Sequence, residues 1–100
     1  MVIVDGWVTF EPAALEAFRA AAGKMIAASR AEAGCLGYAY AADFLDPGCV
    51  RITEHWVDEA ALTAHFAEPH MAEFQAALAQ AKRIDGDVRI YSGDEIRRLI

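Results

Sequence analysis

All three histidines of the chain, one of its two tryptophans and a strand carboxylate fall within residues 54–74, EHWVDEAALTAHFAEPHMAEF. Imidazole, indole and carboxylate side chains gathered this closely suit a metal site, a general acid–base pocket or a polar rim on a core. His65 and His70 are five residues apart with Pro69 between them, which is not the i, i+4 pair of a helical zinc site. His55 is expected on the strand face opposite Glu54, and no carboxylate or cysteine completes a ligand spacing. No metal is therefore expected, and proton transfer is the chemistry left to weigh. The candidates for it are His70, His65 and Glu54.

Each candidate also has a plain structural role to weigh. His65 shares a helical face with Leu62 and Phe66, and an inward histidine is commonly a hydrogen-bonded core residue. His70 follows Pro69 in the first turn of the next helix and borders the stripe Met71, Phe74, Leu78. There the helix dipole disfavours imidazolium, while near the end of its own helix His65 meets the opposite dipole. His70 is thus expected as the proton acceptor, and His65 as a donor to an oxyanion or to Glu54. Glu54 lies between Ile52 and Trp56 on one strand face, either paired with a cation or histidine or solvated at a pocket mouth. Trp56, with Tyr38, Phe66, Met71 and Phe74, can be core or can line a flat apolar pocket.

The elements that must hold these groups can be read from periodicity. Residues 2–10, rich in β-branched and aromatic side chains, predict a strand, and Pro12 permits a helix over 13–33 with Leu15, Phe18, Ala22, Met25 and Ile26 on one stripe. Gly34 should stop that helix. Strands are expected over 36–45 and 49–57 around the turn Asp46-Pro47-Gly48. In the first of them Leu36, Tyr38, Tyr40 and Phe44 share a face. Asp58 caps a short helix, Pro69 opens another that runs to Arg83, and Asp85-Gly86 turns the chain into a last strand. The order β-α-β-β-α-α-β predicts a ferredoxin-like α+β domain, a four-stranded antiparallel sheet with helices on one face. The Tyr and Phe side chains of the other face would then need a second subunit as cover.

One hundred residues, 56% of them apolar and 24% charged, make a single domain spanning 1–100. A net charge of −6 without a basic cluster argues against nucleic acid and anionic membranes as partners. No apolar run approaches the ~20 residues of a membrane span, and the N-terminus lacks the features of a signal peptide. The cytoplasm is the default compartment. Cys35 and Cys49 should sit at opposite ends of a hairpin, roughly 30 Å apart at ~3.3 Å per residue, too far for a disulfide.

The segments AEAGCLGYAYAADFLDP and ITEHWVDEAALTAHFAEPHMAEF resemble the antibiotic biosynthesis monooxygenase family, and most of all its quinol-monooxygenase branch. The matching residues are Glu32-x-Gly34-Cys35-x-Gly37-Tyr38, Glu54-x-Trp56, Ala64-His65 and Pro69-His70-Met71. The resemblance implies a dimeric α+β barrel, two sheets packed face to face, with C-terminal segments reaching across to the neighbour. It also implies a pocket between sheet and helices in each subunit. Relatives oxidise hydroquinones or polycyclic phenols with O2 and no metal or flavin, others degrade haem, and one branch isomerises a small phosphorylated diketone.

The chain contains no asparagine, so the asparagine–tryptophan sites of the haem-degrading and anthrone-oxidising members are not carried over. Gln75 stands near the position where the haem degraders place their ligating histidine. The resemblance thus implies a homodimeric, cofactor-free monooxygenase acting with O2 on a small aromatic or quinone-like molecule. A small-molecule-binding or stress-associated protein without turnover, and an isomerase of a small dicarbonyl compound, remain the alternatives.

Overall fold

A computed structural model describes residues 1–81 and 83–100. Its elements are β1 (Val2–Phe10), α1 (Pro12–Arg30), β2 (Cys35–Ala42), β3 (Cys49–Trp56), α2 (Glu59–Phe66), α3 (Pro69–Gln80) and β4 (Arg83–Ser92). The four strands form one antiparallel sheet in the order β2-β3-β1-β4. The fold is ferredoxin-like α+β, as the element order predicts. Among the described residues no helix is long and apolar enough to cross a membrane.

Helix starts follow the sequence signals. Pro12 and Pro69 occupy first-turn positions of α1 and α3, where a missing N–H removes nothing from the helix. The Asp58 carboxylate accepts from the Ala61 N–H at 2.8 Å, capping α2. Phe18, Ala22, Met25 and Ser29 form the buried stripe of α1. Alternate residues of the central strands meet the helices: Val2, Val4, Val8 and Phe10 from β1, and Val50, Glu54 and Trp56 from β3, are buried. Phe18 packs against Phe10, Tyr40 and Phe74 with ring centroids 4.7–5.7 Å apart.

Several boundaries and faces differ from expectation. α1 ends at Arg30, and Gly34 (φ +84°) instead turns the chain into β2. Asp85 and Gly86 pair with Thr9 and Val8 inside β4, so ladder bonding overrides their turn chemistry. The expected end of α3 falls back to Gln80, and Lys82 lies outside the described residues. Tyr38 and Tyr40 face the helices and belong to or pack on the core, not the open face. Leu36 and Phe44 do not join them: Leu36 is largely exposed and Phe44 fully so. The helix-free face carries instead Trp7, Tyr91, Asp5, Arg51, Asp87 and Arg89, which line one shallow depression. Both cysteines are free, as their placement at opposite ends of the hairpin requires.

Candidate active site

The site is assembled where α2, α3 and the turn after α1 converge. Gly34 holds that turn against α2: a Cβ there would lie 2.7 Å from the Ala61 Cβ and 3.0 Å from Val57 Cγ2. The Val57 N–H also donates to the Gly34 carbonyl at 2.9 Å. This close approach brings Glu32 beneath both helices. A single oxygen, Oε2 of Glu32, lies 2.6 Å from Nδ1 of His65 and 2.7 Å from Nε2 of His70.

A carboxylate accepts only, so each imidazole presents an N–H to it. In the neutral form of either ring the lone pair then falls on the far nitrogen, a carboxylate–histidine pairing that sets tautomer and orientation. The two ends differ in access. His65 is fully enclosed, whereas the His70 side chain keeps 15% of its surface. The His65 ring packs against Trp56 at 4.7 Å and Tyr38 at 5.5 Å between centroids. Its Nε2 is buried without a hydrogen-bond partner, as is Ser29 Oγ.

Trp56 is completely buried and its Nε1–H donates to Glu54 Oε1 at 3.0 Å. Burial pushes the Glu54 carboxyl above its ordinary value, against the smaller downward pull of the Trp56 bond and of His65. The Tyr38 and Tyr40 hydroxyls meet at 2.6 Å. Burial, helped by the Glu54 charge, holds the Tyr38 phenol up at about 12. Burial and the neighbouring Tyr38 raise Tyr40 as well. Both phenols are therefore neutral hydrogen-bonding groups at physiological pH.

Two cavities flank this cluster. A cavity of about 270 Å³ lies between the sheet and helices α1 and α3, walled by Val8, Phe10, Phe18, Ile52, Phe74 and Leu78, with Tyr40 also in its lining. A second, of about 200 Å³ between α1 and α3, is lined by Met25, Lys24, Glu73, Phe74 and His70. Phe74 belongs to both walls, so the larger apolar cavity and the histidines adjoin rather than coincide.

The sequence-derived candidates are distributed accordingly. His65 and His70 are brought together, by Glu32 rather than by Glu54. Glu54 and Trp56 form their own buried pair one layer below. Phe74 and His70 line cavities, and Met71 packs on the core. Tyr38 is a buried neighbour of His65, and Phe66 is half exposed at the protein surface. Glu32 was among the residues that carry the family resemblance, but neither it nor Tyr40 was among the site candidates. Glu32 lies 33 positions before His65, and the signal that could have found it is the glycine two residues on. The three donor atoms of Glu32, His65 and His70 lie within 4.8 Å of one another, close enough to hold a cation.

A ferredoxin-like sheet with its helices on one face, an apolar cavity beneath them and a carboxylate-bound histidine pair beside it defines a small α+β protein in which a cavity adjoins a cluster of titratable side chains. Comparison with known proteins narrows this class. Residues 1–77 match the model of the family described as antibiotic biosynthesis monooxygenase, and the chain belongs to that family. The uncharacterised protein sll1783 of Synechocystis sp. is 29% identical over 98 residues, covering 98% of this chain and 67% of its own length. A protein of Deinococcus radiodurans named for the same family has a solved structure with a TM-score of 0.90 and 29% identity, covering 100% of this chain and 99% of that one. The solved structure of Rv0793 from Mycobacterium tuberculosis gives a TM-score of 0.86 at 27% identity, over 96% and 98% of the two chains.

Proposed function

We propose that this protein is a cofactor-independent monooxygenase that oxidises a small hydroquinone with O2. The observation that carries this reading is His65 Nε2, a buried, unpartnered nitrogen on a ring whose Nδ1–H is held by a carboxylate. An oxidation without flavin or metal needs a substrate that itself reduces O2, and a phenol does so once it has lost its proton. The protein must then supply a base, an apolar cavity and exclusion of water.

The substrate ring occupies the 270 Å³ cavity, with one hydroxyl on Tyr40. That volume is just under the ~300–1,000 Å³ of sites for drug-sized ligands, which favours one or two rings over a polycyclic phenol. The substrate proton passes to Tyr40 as Tyr40 passes its own to Tyr38. The Tyr38 hydroxyl makes no hydrogen bond to His65 Nε2, so the last transfer to that nitrogen requires the Tyr38 side chain to shift onto it when substrate binds. The new imidazolium is held by Glu32, and His70 on the same oxygen connects the cluster to the solvent side. The phenolate gives one electron to O2, and the resulting phenoxyl radical and superoxide combine at a ring carbon. The peroxide formed takes back the proton, and loss of water leaves a hydroxyquinone. One atom of O2 thus enters the ring and the other leaves as water. Glu54 serves this site by holding Trp56 against His65.

Oxygen uptake with a panel of hydroquinones, on protein treated with chelator, tests the proposal. One O2 should be consumed per quinone formed, and Tyr40→Phe should slow turnover by ~10²-fold, the usual scale for a proton-transfer group, with ring binding retained. Ring binding in the cavity with no oxygen uptake above buffer would instead identify a non-catalytic binding protein.

A further inference from the structure

The Glu32–His65–His70 cluster has the donor chemistry of a divalent metal site as well as that of a proton relay. Two imidazoles and a carboxylate are a ligand set of zinc enzymes, and here they come from three separate segments onto one point. Glu32 Oε2 is 2.6 Å from His65 Nδ1 and 2.7 Å from His70 Nε2, with all three donors inside 4.8 Å. Metal–ligand bonds of ~2.0–2.1 Å place tetrahedral donors ~3.3 Å apart. The carboxylate–imidazole separations must therefore open by about 0.6 Å, a change that side-chain rotation of His70 and Glu32 can supply.

Charge and burial favour a cation at this point. Glu32 has histidines as its hydrogen-bond partners, and the second carboxylate, Glu54, acts electrostatically on the same His65. The Glu32 carboxylate offsets one of the two charges of a divalent ion. Coordination through His65 Nδ1 shifts that ring's N–H onto Nε2, the buried atom that otherwise has no partner. A shift of Glu54, whose charge already acts on this ring, would give that N–H the outer carboxylate that metal-bound histidines commonly use. His70 lines the 200 Å³ cavity, which leaves the fourth position open on that side.

We propose that Glu32, His65 and His70 bind a zinc-class divalent ion through Oε2, Nδ1 and Nε2, and that the ion shuts off proton transfer through the cluster. The binding half stands on geometry alone. The inhibitory half rests on the function proposed above, because the ion takes the nitrogens and the oxygen through which the proton would leave.

The test begins with Co2+ added to chelator-treated protein. One equivalent should bind and give the intense visible absorption of a tetrahedral ion, Zn2+ should displace it, and ring-nitrogen NMR should show His65 and His70 shifting together. Glu32→Gln keeps the shape but not the charge, and His70→Ala removes a partly exposed ligand. Each should weaken Zn2+ binding by about tenfold or more, while His55→Gln, on the opposite sheet face, should leave it unchanged. The NMR arm uses wild-type protein and does not depend on variant folding. Absence of a cobalt spectrum, or uptake lost in His55→Gln and kept in His70→Ala, would overturn the site. Zn2+ binding that leaves hydroquinone oxidation running would overturn the inhibitory half alone, and absence of any oxidation in metal-free protein would count against the functional proposal instead.

Discussion

Gly34→Ala is the substitution for which the structure gives the firmest magnitude. The backbone at Gly34 has φ +84°, and an added methyl would lie 2.7 Å from the Ala61 Cβ and 3.0 Å from Val57 Cγ2. Left-handed backbone costs an L-residue roughly 1–2 kcal/mol, and forcing a methyl into a packed contact adds roughly 1–3 kcal/mol. The sum is about 2–5 kcal/mol, a large share of the ~5–15 kcal/mol that stabilises a domain. Each kcal/mol lowers the melting temperature of a domain this size by about 4–8 °C. Relief comes from moving α2 away from the turn, which also draws His65 off Glu32. Urea unfolding at fixed protein concentration measures the first effect, and the His65 ring signals in NMR measure the second. Gly23→Ala is the matched control: nothing lies within 4 Å of its added methyl, and removing a mid-helix glycine should gain about 0.5–1 kcal/mol. A Gly34→Ala loss below about 1 kcal/mol, or a loss of stability in Gly23→Ala, would refute this reasoning.

Glu54→Gln keeps an acceptor for the Trp56 Nε1–H without the charge. Because burial raises the folded-state value of Glu54, the folded protein binds its proton more tightly than the unfolded chain does. Stability linked to this group is thus full below the ordinary carboxylate value and falls as pH rises through the raised one. Glu54→Gln should match or exceed wild type in stability at pH ~7–8 and lose that advantage near pH ~4; a variant destabilised most at neutral pH would show that the anion is the favoured form. His70→Ala should slow hydroquinone turnover by ~10²-fold, with added imidazole restoring part of the rate through the adjoining cavity; unchanged turnover would remove His70 from the relay. We also expect a homodimer in solution, since Tyr91 on the helix-free face and Ile96, Leu99 and Ile100 of the tail have little cover within the chain. Sedimentation as a monomer at micromolar concentration would exclude it.

Much of the fold was legible because its elements begin at residues with a local mechanism. Pro12, Asp58 and Pro69 each start a helix by satisfying or removing a terminal N–H, and that information is carried within three or four residues. Sheet parity was legible too: Tyr38 and Tyr40 were expected on one face and do share it. Which face of β2 receives the helices was not, because alternation separates two faces without ranking them. Asp85-Gly86 has turn chemistry that pairing with Thr9 and Val8 overrides, a competition settled only by the neighbouring strand. The histidines were found from their clustering in sequence. Their shared carboxylate was not, since Glu32 reaches them only through the close approach at Gly34.

In the proposed mechanism, the two carboxylates are what lets the cluster accept a proton inside a dry core. Creating a lone imidazolium at a fully enclosed His65 would be costly, since a buried charge without a partner loses its hydration. Glu32, already bonded to the same ring through Oε2, makes the proton's arrival a neutralisation rather than the creation of net charge. Glu54 is treated differently by the fold: one indole N–H and burial leave it inclined towards its neutral form. Two acidic groups around one imidazole, in unlike environments, divide the labour between them. The one that receives two N–H groups balances the incoming charge, and the one that receives the indole fixes the tryptophan against which the imidazole is packed. Exchanging their surroundings, and not merely deleting either group, is what would move the site of proton storage.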